Sequence, residues 1–155
     1  MTNCIEIKGL VKQYKTFTLG PIDLKVPGGS ILGLIGENGA GKTTLIKSML
    51  GIVRPTAGEV SLLGADPDRA KADIGIVLDD CFFSEYLRVR DVETVLCRVF
   101  KTWDKGLYRD YLDKFGLSGA KNIKELSRGM RMKLSLAAAL AHKPKLLLLD
   151  EATAG

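Results

Sequence analysis

The chain has 155 residues, of which 46% are hydrophobic and 26% charged, with a formal net charge of +5. These proportions are ordinary for a globular protein and suffice for one domain with a sizeable core. No apolar run approaches the roughly 18 residues of a membrane span, and residues 1–8 lack the apolar centre of a secretory signal. We therefore expect a cytoplasmic chain.

The cysteines and the charge pattern exclude two kinds of site. Cys4, Cys81 and Cys97 are far apart and His142 is the single histidine, so we expect no zinc site and interpret the thiols as buried or incidental. No long block of like charges accompanies the positive net charge, and we expect no nucleic-acid partner. His142 is predicted to end a helix, where a cation suits the negative end of the dipole.

The first part of the chain alternates short apolar runs with turns. Short strands are predicted around Ile5 and at residues 17–19 and 22–26. The turn at residues 27–29, Pro-Gly-Gly, leads into the apolar run at 31–35, which we predict to be a buried strand.

Residues 36–43, the phosphate loop, have the sequence G-E-N-G-A-G-K-T and match the phosphate-binding pattern G-x-x-x-x-G-K-[ST] at every fixed position. The loop lies between the predicted strand and a predicted helix that Gly51 ends, which is the order that such a loop requires. A glycine-rich turn without a ligand is the alternative, but it does not account for the Lys-Thr pair.

The residue types in the loop suit a triphosphate. Gly36, Gly39 and Gly41 allow backbone N–H groups to approach an anion closely, and the following helix points its positive end at the phosphates. Lys42 adds a cation for the β- and γ-phosphates, and the Thr43 hydroxyl is placed to ligate magnesium. The predicted nucleotide-binding residues here are Gly36, Glu37, Asn38, Gly39, Ala40, Gly41, Lys42, Thr43 and Thr44.

Beyond this helix, strands are predicted at residues 59–63 and 74–78. Helical spacing of apolar residues then predicts helices at 91–100, 107–115 and 128–142. The pattern indicates a mixed α/β core interrupted by a helical insert at about residues 81–125.

Four leucines at residues 146–149 are followed by Asp150 and Glu151. A continuous apolar run predicts a central parallel strand covered on both faces. Carboxylates at the carboxyl end of such a strand lie at the edge where open α/β sheets bind ligands. We predict that Asp150 holds the magnesium shell and that Glu151 accepts a proton from the attacking water. Together with the phosphate loop, these acids predict a nucleotide triphosphatase.

The signature segment, residues 126–130 with the sequence L-S-R-G-M, resembles the L-S-G-G-Q signature of ATP-binding cassette (ABC) proteins. Residues 131–155 look like the same family throughout, and the resemblance extends over residues 5–155. It implies an α/β fold with a phosphate-loop NTPase core, an antiparallel β subdomain at the amino terminus and a helical insert. It also implies one ATP-binding domain truncated at its carboxy-terminal part, with residues 1–80 and 131–155 as the core and 81–130 as the helical subdomain.

The resemblance implies an ATP- and Mg²⁺-dependent ATPase subunit that energises transport through integral membrane permease subunits, at the inner face of the cell membrane. Two such domains, as a homo- or heterodimer, hold ATP between one phosphate loop and the other copy's signature residues Ser127, Arg128, Gly129 and Met130. Ser127 is predicted to cap the third helix, whose positive end faces the γ-phosphate. Tyr14 matches the family's adenine-stacking aromatic, with local packing as the alternative.

Several positions depart from the family pattern. Asp79 stands where the family has glutamine, and we expect it to keep a role at the metal but to alter coupling to the membrane subunit. Arg128 and Met130 resemble variants of exporter-type members, and Ala152 replaces a proline. The predicted metal ligands are therefore Thr43, Asp79 and Asp150, and the predicted catalytic residues are Lys42 and Glu151.

The chain ends at Gly155, before the family's D-loop and switch histidine, so we expect an amino-terminal fragment or a truncated gene product. Such a chain is expected to expose apolar sheet surface and to hydrolyse ATP slowly or not at all. Two alternatives stay open at this point. One is a soluble cassette ATPase acting in translation or DNA maintenance, and the other is a nucleotide-binding module without hydrolysis, against which Glu151 counts.

Overall fold

The computed structural model describes residues 2–78 and 81–150. In these ranges no helix combines the length and apolarity needed to cross a membrane. Contacts divide the chain into two compact units, Met1–Lys71 and Ala72–Gly155. The helices and strands, in chain order, are β1 (Asn3–Gln13), β2 (Thr18–Pro27), α1 (Lys42–Met49), β3 (Ala57–Leu62), α2 (Pro67–Ala70), β4 (Ile74–Val77), α3 (Asp91–Val99), α4 (Lys105–Lys114), α5 (Arg128–Ala141) and β5 (Leu146–Leu149).

The first unit is built on a three-stranded antiparallel sheet. Its strand order is β2-β1-β3, with Ile7 of β1 opposite Leu24 of β2 and Val60 of β3. Ile7 and Leu10 are buried on the covered face of β1. This sheet confirms the predicted antiparallel β subdomain. The two short strands expected at residues 17–19 and 22–26 form the single strand β2.

The prediction of a buried strand at residues 31–35 is wrong for this structure. None of these residues belongs to a helix or strand, and the side chains of Ile31 and Ile35 are fully exposed. An apolar run becomes a buried strand only where neighbouring strands pair with its backbone and other layers cover its faces. The described residues provide neither for this segment.

The second unit contains a two-stranded parallel sheet. Ile74 of β4 pairs with Leu146 of β5 and Val77 pairs with Leu149, which confirms the predicted parallel strand. The expected central position is wrong, because β5 has a single neighbour in the described sheet. The expected cover on both faces fails at Leu149, which is 46% exposed. A Cβ on Gly75 would lie 3.0 Å from the Ala139 carbonyl oxygen, so α5 packs directly on β4.

The three helices predicted from apolar spacing are confirmed as α3, α4 and α5. They enclose the core of the second unit, in which Tyr108 is buried and its hydroxyl donates a 2.7 Å hydrogen bond to the Val89 carbonyl oxygen. Burial raises the pKa of the Tyr108 hydroxyl above its usual range. The subdomain bounds expected at residues 80 and 130 stay a prediction.

Candidate functional site

The phosphate loop has the backbone geometry of an anion cradle. Gly39 and Gly41 have φ values of +84° and +95°, which non-glycine residues rarely adopt. The Ala40 N–H donates to the Glu37 carbonyl oxygen at 3.1 Å and closes a turn within the loop. Residues 36–40 are exposed, so the cradle is open to a ligand.

Helix α1 begins immediately after the loop and has free N–H groups at its first turn. The first N–H groups of a helix have no partner within the helix, and a side chain often caps them. Here the N-cap is Gly41, which supplies no side-chain hydrogen bond, and no acidic residue lies in the first turn. The N-terminus of α1 is therefore available to bind an anion.

Lys42 is held over the same loop. Its ammonium group donates to the carbonyl oxygens of Gly36 at 2.6 Å and Glu37 at 2.8 Å. These contacts place the positive charge at the loop. A phosphate oxygen would be a stronger acceptor for the ammonium than these neutral carbonyl oxygens are. Thr43 follows on the first turn of α1 and is half-buried.

Tyr14 and Phe17 lie in the turn between β1 and β2. The Tyr14 N–H donates to the Phe17 carbonyl oxygen at 2.7 Å, and the two side chains are 43% and 37% exposed. The Lys12 ammonium lies 5.3 Å from the centre of the Tyr14 ring and donates to the Arg54 carbonyl oxygen at 2.9 Å. One face of the Tyr14 ring is therefore covered by an anchored cation.

Sequence reasoning missed the contact of Phe17 with the phosphate loop. A Cβ on Gly41 would lie 3.1 Å from the Phe17 ring and 2.8 Å from Leu19. Gly41 is therefore required both by its positive φ and by the side chains packed against it. The sequence shows an aromatic residue between two predicted strands. It does not show that this residue contacts Gly41, because that contact forms only in the folded chain.

The acidic end of β5 lies in the second unit. Asp150 is 5% exposed, and its N–H donates to the Val77 carbonyl oxygen at 2.8 Å, which extends the parallel pairing by one residue. Asp79 and Glu151 lie outside the described residues. Among residues 2–78 and 81–150, no three His, Cys, Asp or Glu side chains form a metal-binding group.

The signature segment begins α5 as the sequence predicts. The Ser127 hydroxyl accepts a hydrogen bond from the Met130 N–H at 3.3 Å and caps the helix. The first turn has no acidic residue, and a Cβ on Gly129 would meet no atom within 4 Å. The N-terminus of α5 is therefore positive and sterically open beside Gly129.

A cavity of about 460 Å³ lies beside the signature segment. Arg131 helps to line it and is held by a 3.0 Å ion pair with Glu85 and a 3.2 Å hydrogen bond to the Leu126 carbonyl oxygen. The lining combines arginine with apolar and small side chains: Leu78, Cys81, Leu126, Arg128, Arg131, Met132 and Ser135. The arginines make the lining suited to groups that accept hydrogen bonds.

His142 follows α5, as predicted, but it is not an exposed cation at the helix end. Its side chain is buried, its ring stacks on Phe100 at 4.1 Å, and its Nε2 lies 3.2 Å from the Ile74 carbonyl oxygen. Burial lowers the pKa of His142, although the backbone carbonyls of Ile74 and Ala138 and the charge of Asp73 oppose this shift. The prediction of an exposed cation was wrong because the ring is buried, and burial removes the water that stabilises the charged imidazolium.

Lowering the pH below the usual histidine pKa of 6.5 is expected to destabilise the second unit. Below that pH the unfolded chain binds more protons at His142 than the folded chain does, so the free energy of unfolding decreases as the pH is lowered. Above pH 6.5 the stabilising contribution of neutral His142 to the free energy of unfolding is fully present. Urea unfolding between pH 7.5 and 5.5 (about the histidine range) measures the effect.

The matched variant is His142→Gln, which keeps a polar side chain but does not titrate. Its free energy of unfolding is expected to vary less over the same pH range. Because His142 is the single histidine of the chain, an equal pH dependence in both proteins would contradict the assignment.

The structure thus groups the predicted residues in two sets. The phosphate loop and Tyr14 lie in the first unit, with Phe17 and α1 around them. Asp150 and the signature segment lie in the second unit, at the end of β5 and the start of α5. Each set contains a helix N-terminus without an acidic residue in its first turn. The positive end of the helix dipole therefore favours an anion at both places.

Comparisons with known proteins agree with these observations. A family model described as ABC transporter matches residues 19–154. The daunorubicin/doxorubicin resistance ATP-binding protein DrrA of Streptomyces peucetius is 35% identical over 99% of this chain and 50% of its own length. The bacitracin transport ATP-binding protein BcrA of Enterococcus faecalis is 35% identical over 97% and 51%, respectively.

A solved structure shows the same fold. An ABC transporter ATP-binding protein from Pyrococcus furiosus superimposes with a TM-score of 0.81 and 25% identity, over 96% of this chain and 75% of its own. The chain therefore spans about half the length of the curated relatives it matches, and three quarters of this structure.

Proposed function

Because the chain belongs to the ABC transporter family, we propose that it is the ATP-binding part of an ATPase that energises transport across a membrane. Its cofactors are ATP and Mg²⁺, and its partners are integral membrane permease subunits and a second ATP-binding domain. It acts at the inner face of the cell membrane. The observation that carries this proposal is the open phosphate loop, with its left-handed glycines and its Lys42 ammonium.

ATP binding follows from the chemistry of this cradle. The ammonium of Lys42 exchanges the carbonyl oxygens of Gly36 and Glu37 for β- and γ-phosphate oxygens, which bear negative charge. The backbone N–H groups of the loop and of the first turn of α1 bind the remaining oxygens. The Tyr14 ring, with one face covered by Lys12, offers its other face to adenine.

Hydrolysis needs a metal site and a base. Thr43, Asp150 and Asp79 carry oxygen atoms of the type that Mg²⁺ prefers and would hold the ion. The ion would supply positive charge for the transferred phosphoryl group. Glu151 accepts the proton of the attacking water. Lys42 stabilises the charge that develops on the phosphate oxygens.

A second copy of the domain completes the site. The N-terminus of α5, capped by Ser127 and open at Gly129, presents positive charge to the γ-phosphate held by the partner's phosphate loop. Arg128 and Met130 flank this helix end. The same polyphosphate then binds two helix N-termini, and the dimer forms when ATP is present.

The cavity beside the signature segment is the proposed contact with the permease. Its lining is mainly polar and includes two arginines, so it fits a segment that carries acidic or carbonyl acceptors. Asp79 follows Leu78 in the sequence, and we expect it to keep a role at the metal and to alter coupling to the permease. The relative named for drug resistance favours an exporter-type partner.

The exposed segment at residues 31–35 bears on how much of the parent protein is needed for turnover. Its apolar side chains are exposed, and its backbone is available to pair with further strands. The relatives are about twice as long as this chain. We propose that the chain binds ATP but hydrolyses it slowly or not at all until such strands are present. Glu151, as a candidate base, favours transport-coupled hydrolysis in the parent protein over a module that only binds.

The test is co-expression of the longest natural form of the protein with the membrane protein encoded beside it. The two are expected to copurify from detergent extracts, and ATP hydrolysis is expected to rise when the complex is reconstituted in lipid vesicles. Copurification with ribosomes or DNA instead, without any membrane protein, would favour the translation or DNA-maintenance alternative.

A further inference from the structure

We propose that Phe17 is a second binding residue for the nucleobase, forming an apolar wall between Tyr14 and the phosphate loop. The inference rests on the proposed ATP binding and adds a residue to that site. Sequence patterns single out Tyr14 alone, whereas the structure shows which aromatic ring borders the loop itself.

The position of the Phe17 ring is the first argument. A Cβ on Gly41 would lie 3.1 Å from Cζ and 3.4 Å from Cε1 of Phe17, so the ring edge contacts the last residue before α1. A nucleotide whose phosphates lie in the loop carries its base one ribose away from the α-phosphate. Apolar surface that directly borders the loop is therefore within reach of the base.

The exposure of Phe17 is the second argument. Leu19 also packs against Gly41, and it is 8% exposed, as expected for a residue that only supports the loop. Phe17 makes the same contact but remains 37% exposed. A large apolar ring that is open to solvent beside an anion cradle is suited to cover the flat apolar face of a base.

The turn between β1 and β2 is the third argument. The 2.7 Å hydrogen bond from the Tyr14 N–H to the Phe17 carbonyl oxygen fixes both aromatic residues in one turn. Lys12 covers one face of the Tyr14 ring and is anchored at Arg54. The turn thus holds the Phe17 ring against the loop and the Tyr14 ring with one face covered by Lys12. The parts of both rings that stay exposed are available to a base.

Two ligands separate a base-binding role from support of the loop. Mg-ATP and inorganic tripolyphosphate share the phosphate contacts, but only Mg-ATP has a base. Calorimetric titration of the 155-residue chain is expected to show that Phe17→Ala weakens Mg-ATP binding about tenfold, as for loss of one base–aromatic contact. Tripolyphosphate affinity is expected to change less than about twofold, because the phosphate contacts remain.

The conservative variant Phe17→Leu still covers the Gly41 flank but has no aromatic ring, so it is expected to weaken Mg-ATP binding by less than Phe17→Ala does and to keep tripolyphosphate affinity within about twofold of wild type. Thermal unfolding of all variants checks that the first unit is intact. Equal losses for Mg-ATP and tripolyphosphate in Phe17→Ala, or no loss for either, would overturn the proposal. A wild-type chain that binds neither ligand would instead overturn ATP binding itself, and the inference with it.

Discussion

Replacing Lys42 with alanine is expected to weaken Mg-ATP binding by about 10- to 100-fold, the loss typical of a charge-assisted hydrogen bond. The ammonium group already lies at the loop, 2.6 Å and 2.8 Å from the Gly36 and Glu37 carbonyl oxygens. Its removal leaves phosphate oxygens without their cation while the backbone cradle remains. Isothermal titration of the 155-residue chain with Mg-ATP measures the change.

Lys47 provides the matched control. It lies on α1 as well, in the last turn, so Lys47→Ala removes the same charge from the same helix at the end away from the loop. Its Mg-ATP affinity is expected to stay within about twofold of wild type, since Lys47 is only half-buried and solvent screens its charge over that distance. If both variants bind Mg-ATP as wild type does, the phosphate loop is not the ATP site.

Replacing Glu151 with glutamine is expected to lower steady-state phosphate release by about 10²- to 10⁴-fold, the usual contribution of a general base. Glutamine keeps the size of the side chain but does not accept a proton. Mg-ATP affinity is expected to remain close to wild type, because the base acts on water and not on the phosphates. The measurement requires the longest natural form of the protein, in which turnover is expected.

Glu59→Gln serves as the control, since it makes the same chemical change on β3, at an exposed position. Phosphate release by this variant is expected to equal that of wild type. Unimpaired hydrolysis by Glu151→Gln would assign the base to another residue. A parallel loss of Mg-ATP binding would show that Glu151 acts in binding rather than in proton transfer.

The local elements were predictable because their signals are local. The apolar spacing at residues 91–100 and 128–142 matches α3 and α5, and Ser127 caps α5 as a serine before a helix is expected to do. The phosphate loop was predicted from a pattern that requires glycine at fixed positions. Two of these glycines, Gly39 and Gly41, have a positive φ that other residues rarely adopt. In each case neighbouring residues determine the conformation.

The failures share a different cause. The run at residues 31–35 is as apolar as that at 146–149, yet only the second pairs with another strand in the described chain. His142 was interpreted from its place after a helix, but Phe100 and Ile74, which are remote in sequence, surround its ring. Burial by such partners lowers the pKa of His142 and disfavours the expected cation.

By itself the sequence determined the family and the order of helices in the second unit, and it predicted the phosphate loop, since these depend on short patterns and on periodicity along the chain. Only the tertiary structure decided which apolar segments find a partner, that His142 is buried with a lowered pKa, and that Phe17 borders the phosphate loop. Pairing, desolvation and ring contacts arise between residues far apart in the chain, and their free energies depend on the folded environment.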